Sequence, residues 1–166
     1  MRRTSAVVAA VLAAGAVAAG TPSASAATPP TREPVSFTVS DTIDCGSFSD
    51  NFTDFYTGTQ TTFYGAAGNP TRYIIQWKHT SNDVNSVTGY TIHEHGSFTE
   101  TVDLAANTDT LRGSFEIATK PGTGIVIADV GRVVLDADGN PIFLAARSKR
   151  SAFTGGDERY CSALSS

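Results

Sequence analysis

Residues 71 to 80 read TRYIIQWKHT, and the spacing within this decapeptide decides the fold class. Tyr73, Ile75, Trp77 and His79 recur two apart, with Arg72, Ile74, Gln76 and Lys78 between them. In an extended strand successive side chains point to opposite faces. Tyr73, Ile75, Trp77 and His79 then share the core side, and the mostly polar set faces out. A helix would scatter both sets around its axis. The segment is therefore expected to be a half-buried strand that carries a histidine inward with its aromatic neighbours.

The same period of two runs along most of the chain. Val35, Phe37 and Val39 alternate with Ser36, Thr38 and Ser40. Phe98, Glu100, Val102 and Leu104 alternate with hydroxyl and acidic residues, and Leu111, Gly113, Phe115 and Ile117 alternate with Arg112, Ser114 and Glu116. That phase places Glu116 outward. Phe48 to Tyr64 reads as two strands interrupted at Gly58. Ile125 to Leu135 is apolar on both faces apart from Asp129 and Arg132, the pattern of a strand covered on both sides. Gly65 to Pro70, Ser81 to Ser86 and Lys120 to Gly124 read as turns, and Asp138-Gly139 as the tip of a hairpin. Asp157 to Leu164 allows one short helical turn around Cys161. No helical periodicity of useful length occurs elsewhere after residue 26. The chain is expected to be all-β, an antiparallel up-and-down barrel or sandwich of about eight strands.

Residues 1–26 have the layout of a secretory signal peptide: a basic start at Arg2-Arg3, an apolar run from Val7 to Ala19, and Ala24-Ser25-Ala26 at the cleavage position. The apolar run is shorter than the ~20 residues that span a bilayer. Residues 27–34, rich in Thr and Pro, read as a flexible leader, and 35–166 as a single β domain. Without Arg2 and Arg3 the 12 basic residues fall to 10 against 16 acidic ones, a net charge of −6. Such a chain, with no basic stripe, is a poor partner for nucleic acid or an anionic membrane. The expected location is extracellular, with no membrane anchor. There, the two cysteines, Cys45 and Cys161, are expected to oxidise to one disulfide.

Two segments carry a resemblance. GTGIVIADVGRVVLDADGNPIFLA (residues 122–145) and TGYTIHEHGSFTETVDL (residues 88–104) resemble, in composition and layout, a part of small secreted β-rich proteins of actinobacteria. Those proteins pair an Ala-rich signal peptide with an early and a late cysteine. The resemblance covers about the second half of the mature chain and implies no activity. The barrel shape is similar by fold analogy alone to lipocalins, allene oxide cyclases and dirigent proteins.

His93-Glu94-His95 is the most chemical-looking tripeptide. Residues two apart on a strand share a face, so both histidines could reach one ion, with Glu100 and His79 as further ligands. The spacing is similar to the first motif of cupins, but no histidine follows His95. Tyr90, Ile92 and Glu94 form the better inward face, which turns both histidines to water and Glu94 inward. The expectation is therefore no metal site and no cofactor. Asp129, among apolar neighbours, needs a partner, and a bulge at Gly131 would bring it to the side of Arg132. Asp136 to Asn140 lacks the distal Glu of a calcium loop and reads as a hairpin.

No motif for nucleophilic or phosphoryl chemistry occurs. The preferred expectation is a secreted, non-enzymatic barrel that binds a small or apolar molecule through Trp77, Tyr73 and His79. One alternative is an isomerase- or cyclase-type enzyme with Glu94, His79 and Asp129 as catalytic residues in a cavity. Another is a secreted inhibitor or protein-interaction module.

Overall fold

The computed structural model describes residues 28–146 and 157–165. The signal peptide expected over residues 1–26 lies outside them. Seven strands follow one another along the chain: β1 (Thr31–Asp44), β2 (Ser49–Tyr64), β3 (Pro70–Asn85), β4 (Thr91–Asp103), β5 (Thr108–Lys120), β6 (Gly124–Leu135) and β7 (Pro141–Ala146). One helix, α1 (Glu158–Leu164), ends the described chain. The strands form a single antiparallel sheet in sequence order, so the fold is an all-β meander with a short C-terminal helix. The strands pair neighbour with neighbour from β1 to β7, which leaves these two as the sheet edges. Among the described residues no helix is long and apolar enough to cross a membrane.

The period-two reading holds through β3, where Ile75, Trp77 and His79 are buried and Arg72, Gln76 and Lys78 exposed. The strand also continues through Ser81, Asp83 and Asn85, all buried, where polar composition suggests a turn. Hydroxyl, carboxylate and amide side chains suit this strand because the interior they face is itself polar. Phe48 to Tyr64 is likewise not two strands. β2 runs unbroken through Gly58, which faces the indole of Trp77: a Cβ there would lie 2.8 Å from the ring. Thr31 to Pro34, expected in the leader, form the start of β1 and pair with Thr59 to Thr62 of β2. Their Thr and Pro side chains are exposed and suit an edge strand. β6 is covered on one face only. Ile127, Asp129, Val133 and Leu135 are buried, but Ile125 and Val130 are exposed.

Two apolar clusters hold the concave face. Ile75, Trp77, Phe98, Leu111, Phe115, Val133 and Leu135 form one, and Val35, Phe37 and Tyr56 pack against it. Residues of β1 thus share a core with residues of β6, which requires the sheet to curl strongly. The second cluster joins Ile43, Phe52, Ile92, Ala118 and Ile127 to Tyr160, Ala163 and Leu164 of α1. The helix therefore covers one end of the concave face. Its last carbonyls find partners on the strands. Lys120 Nζ donates to the Ala163 carbonyl and Asn85 Nδ2 to that of Leu164, each at 3.2 Å. The expected disulfide, Cys45–Cys161, ties the same helix to the end of β1 across 116 residues.

Candidate functional site

Between the two apolar clusters the inner face is polar, and strand register explains its order. Phe37, Tyr56, His79 and Gly96 stand directly opposite one another across β1 to β4. Phe37 stacks on Tyr56 with ring centroids 4.6 Å apart, and Tyr56 on His79 at 4.7 Å. The imidazole is thus held by a ring face and keeps its edge, with both nitrogens, for other contacts. The row ends at Gly96 because β5 comes too close for a side chain: a Cβ there would lie 2.3 Å from the Phe115 carbonyl oxygen.

The next inward row is Val39, Asp54, Ser81 and Glu94. Asp54 and Glu94 flank Ser81, and His79 precedes Ser81 by two on the same strand. One ligand atom from each of Asp54, His79 and Glu94 falls within 4.8 Å of the others, and all three residues are buried. His79 Nε2 lies 3.7 Å from Asp54 Oδ1, within ion-pair range but too far for a hydrogen bond. Neither ring nitrogen of His79 has a hydrogen-bond partner, although the residue is only 5% exposed.

A second acidic pair lies toward the other end of the strands. Glu100 of β4 and Asp109 of β5 are diagonal neighbours, since Glu100 pairs with Leu111 and Asp109 with Val102. Trp77 Nε1 donates to Glu100 Oε2. Burial raises the Glu100 carboxyl above its usual range, against the pull of its hydrogen bonds. Burial, then the charge of Glu100, pushes Asp109 up to about 8. The pair shares a hydrogen bond, with the protonated Asp109 donating to Glu100.

A third group is bridged by the helix. Glu116 and Asp129 are direct cross-strand partners. Arg159 of α1 donates from Nη2 to Glu116 Oε2 and from Nη1 to Asp129 Oδ2, each at 2.7 Å. Its Nη2 also reaches the Tyr160 hydroxyl at 3.0 Å. The expected Asp129–Arg132 partnership does not form. The bulge lies on β5, at Phe115, so Gly131 does not turn Arg132 inward. Arg132 lies instead over the Phe143 ring. That β5 bulge also shifts the phase of its strand, so Phe115, Glu116 and Ala118 are all buried, contrary to the outward position expected for Glu116.

Of the residues singled out from sequence, His79 and Glu94 meet, with Asp54 as the third member. Asp129 belongs to the arginine group. Trp77 is buried in the apolar core beside Glu100, while Tyr73 is half-buried opposite Thr62 and Val102. His93 and His95 are exposed, and His93 Nδ1 bonds the Asn82 side-chain oxygen at 2.6 Å. Asp54 was accessible to period-two reading, because Phe52, Asp54 and Tyr56 alternate. Arg159 carried no local signal, being 30 residues from Asp129 in sequence.

With Asp50 and Asp83, eight carboxylic side chains are buried among the described residues, against His79 and Arg159 as the buried bases. Such an excess suits cations and protons, and repels anions. Compared with known protein families, curated proteins and solved structures, the chain matches none.

Proposed function

We propose that this is a secreted, non-enzymatic β protein that holds a small cationic species against the inner face of its curled sheet. The carrying observation is the excess of buried carboxylic side chains among the described residues, eight against one arginine and one histidine. Arg159 is shared by Glu116 and Asp129, and Asp109 is held protonated, and for the remaining acids a ligand's positive charge is a favourable counterweight. This acidic lining moves the expected ligand from apolar to cationic. The disulfide between distant residues is compatible with an extracellular location. The reading keeps company with the small secreted β-rich proteins that residues 88–104 and 122–145 resemble.

An isomerase- or cyclase-type activity is the second reading. It is favoured by the approach of His79 and Glu94, which offer a base and an acid on one inner face. Asp129, ion-paired to Arg159, would serve structure rather than catalysis in it.

Thermal-shift measurements on the secreted protein test the first reading. Polyamines, simple organic ammonium ions and divalent metal ions are compared with fatty acids and organic anions. A rise in melting temperature with at least one cation class and none with the others supports it. Stabilisation by fatty acids alone would refute it.

A further inference from the structure

We infer that Asp54, His79 and Glu94 form a binding site for one divalent transition-metal ion, of the Zn²⁺ or Mn²⁺ type. The inference rests on the reading that the inner face receives a cation, and it names that cation's class and place.

Three observations carry it. The donor atoms of three buried residues converge within 4.8 Å of one another. A tetrahedral ion with bonds of about 2.1 Å spaces its ligand atoms about 3.4 Å apart, and the 3.7 Å from His79 Nε2 to Asp54 Oδ1 is close to that value. That separation is too long for a direct hydrogen bond. The second observation is His79 itself. It is 95% buried by its 5% exposure, its ring is fixed by the Tyr56 stack, and neither nitrogen makes a hydrogen bond. A buried imidazole edge of this kind ordinarily has a partner. The third is charge. As metal ligands, two carboxylates and a neutral imidazole would carry −2, which a divalent ion cancels.

One imidazole nitrogen and two carboxylate oxygens form a donor set acceptable to Zn²⁺ and Mn²⁺, and three protein ligands leave a position open. The remaining nitrogen of His79 lacks the carboxylate or carbonyl acceptor that metal-bound histidines usually have. Such an acceptor is typically worth 10–100-fold in affinity. Binding is therefore expected to be micromolar, weaker than in a fully supported site.

Isothermal titration with Zn²⁺ and with Mn²⁺ decides the matter on the intact, oxidised protein. The expected result is one equivalent of at least one of the two ions. His79→Gln and Asp54→Asn, each folded by circular dichroism, should weaken it more than tenfold. The surface pair supplies the control, because His93 and His95 are also two apart and exposed. The H93A/H95A variant should bind as the wild type does. Binding that is lost in H93A/H95A but kept in His79→Gln would overturn the inference, as would no binding of either ion. A polyamine that still stabilises a protein binding neither metal would sink this site and leave the proposed function standing. Loss of every cation effect would sink both.

Discussion

Replacing Arg159 by Met tests how the acidic interior is held together. The guanidinium contacts Glu116 and Asp129 at 2.7 Å each, is 7% exposed as a residue, and bridges two carboxylates that face each other across β5 and β6. Methionine keeps much of the apolar stem and removes the charge. Both acids then lose this cation in a buried site. Removing one partner of a buried ion pair costs about 3–5 kcal/mol, and here the two facing acids also repel each other. For a domain of this size that corresponds to a fall in Tm of roughly 10–15 °C. Urea unfolding of R159M and wild type at pH 7 measures the deficit. Adding Glu116→Gln and Asp129→Asn to R159M should recover most of the loss. A loss under about 1 kcal/mol at pH 7 would mean that the guanidinium does not hold these acids. So would a triple variant no more stable than R159M.

Three further outcomes follow from the same geometry. Asp109, pushed up to about 8 by burial, is protonated in the fold at pH values where the unfolded chain has lost the proton. Its contribution is greatest below the ordinary aspartate range, about pH 4, and is lost as pH rises toward about 8. Asp109→Asn should therefore flatten the fall in urea midpoint between pH 5 and pH 8, and an unchanged slope contradicts the assignment. Replacing Cys45 and Cys161 by Ser opens a loop of 116 residues. It should cost about 4–5 kcal/mol by chemical denaturation, and α1 should lose amide-exchange protection first; equal protection throughout would argue against the tie. Gly96→Ala drives a Cβ to 2.3 Å from the Phe115 carbonyl oxygen. It should destabilise by roughly 2–3 kcal/mol, and a neutral result would show that β5 moves freely.

The parts of the fold legible in sequence are those where apolar and polar residues alternate against a dry core. Tyr73 to His79 fix a strand and its inward face by that alternation, and Ile92 and Glu94 do so again. Legibility stops where the interior turns polar. Ser81, Asp83 and Asn85 look like a turn because polar side chains usually face water, yet here they line the core. The continuity of β2 is masked by Gly58, whose missing side chain signals interruption in composition but makes room for the Trp77 indole in the structure. Glu116 took the wrong face because a bulge at Phe115 reverses the count, and no residue there announces it. Arg159 reaches its acids only through tertiary closure. The pairing of Cys45 with Cys161, by contrast, needed only the count of two.

The most direct measurement of the central claim is anomalous X-ray scattering from a crystal soaked in Zn²⁺. The account predicts a zinc peak on the concave face, between the side chains of Asp54, His79 and Glu94. A peak at His93 and His95 on the outer face, with none inside, would contradict it.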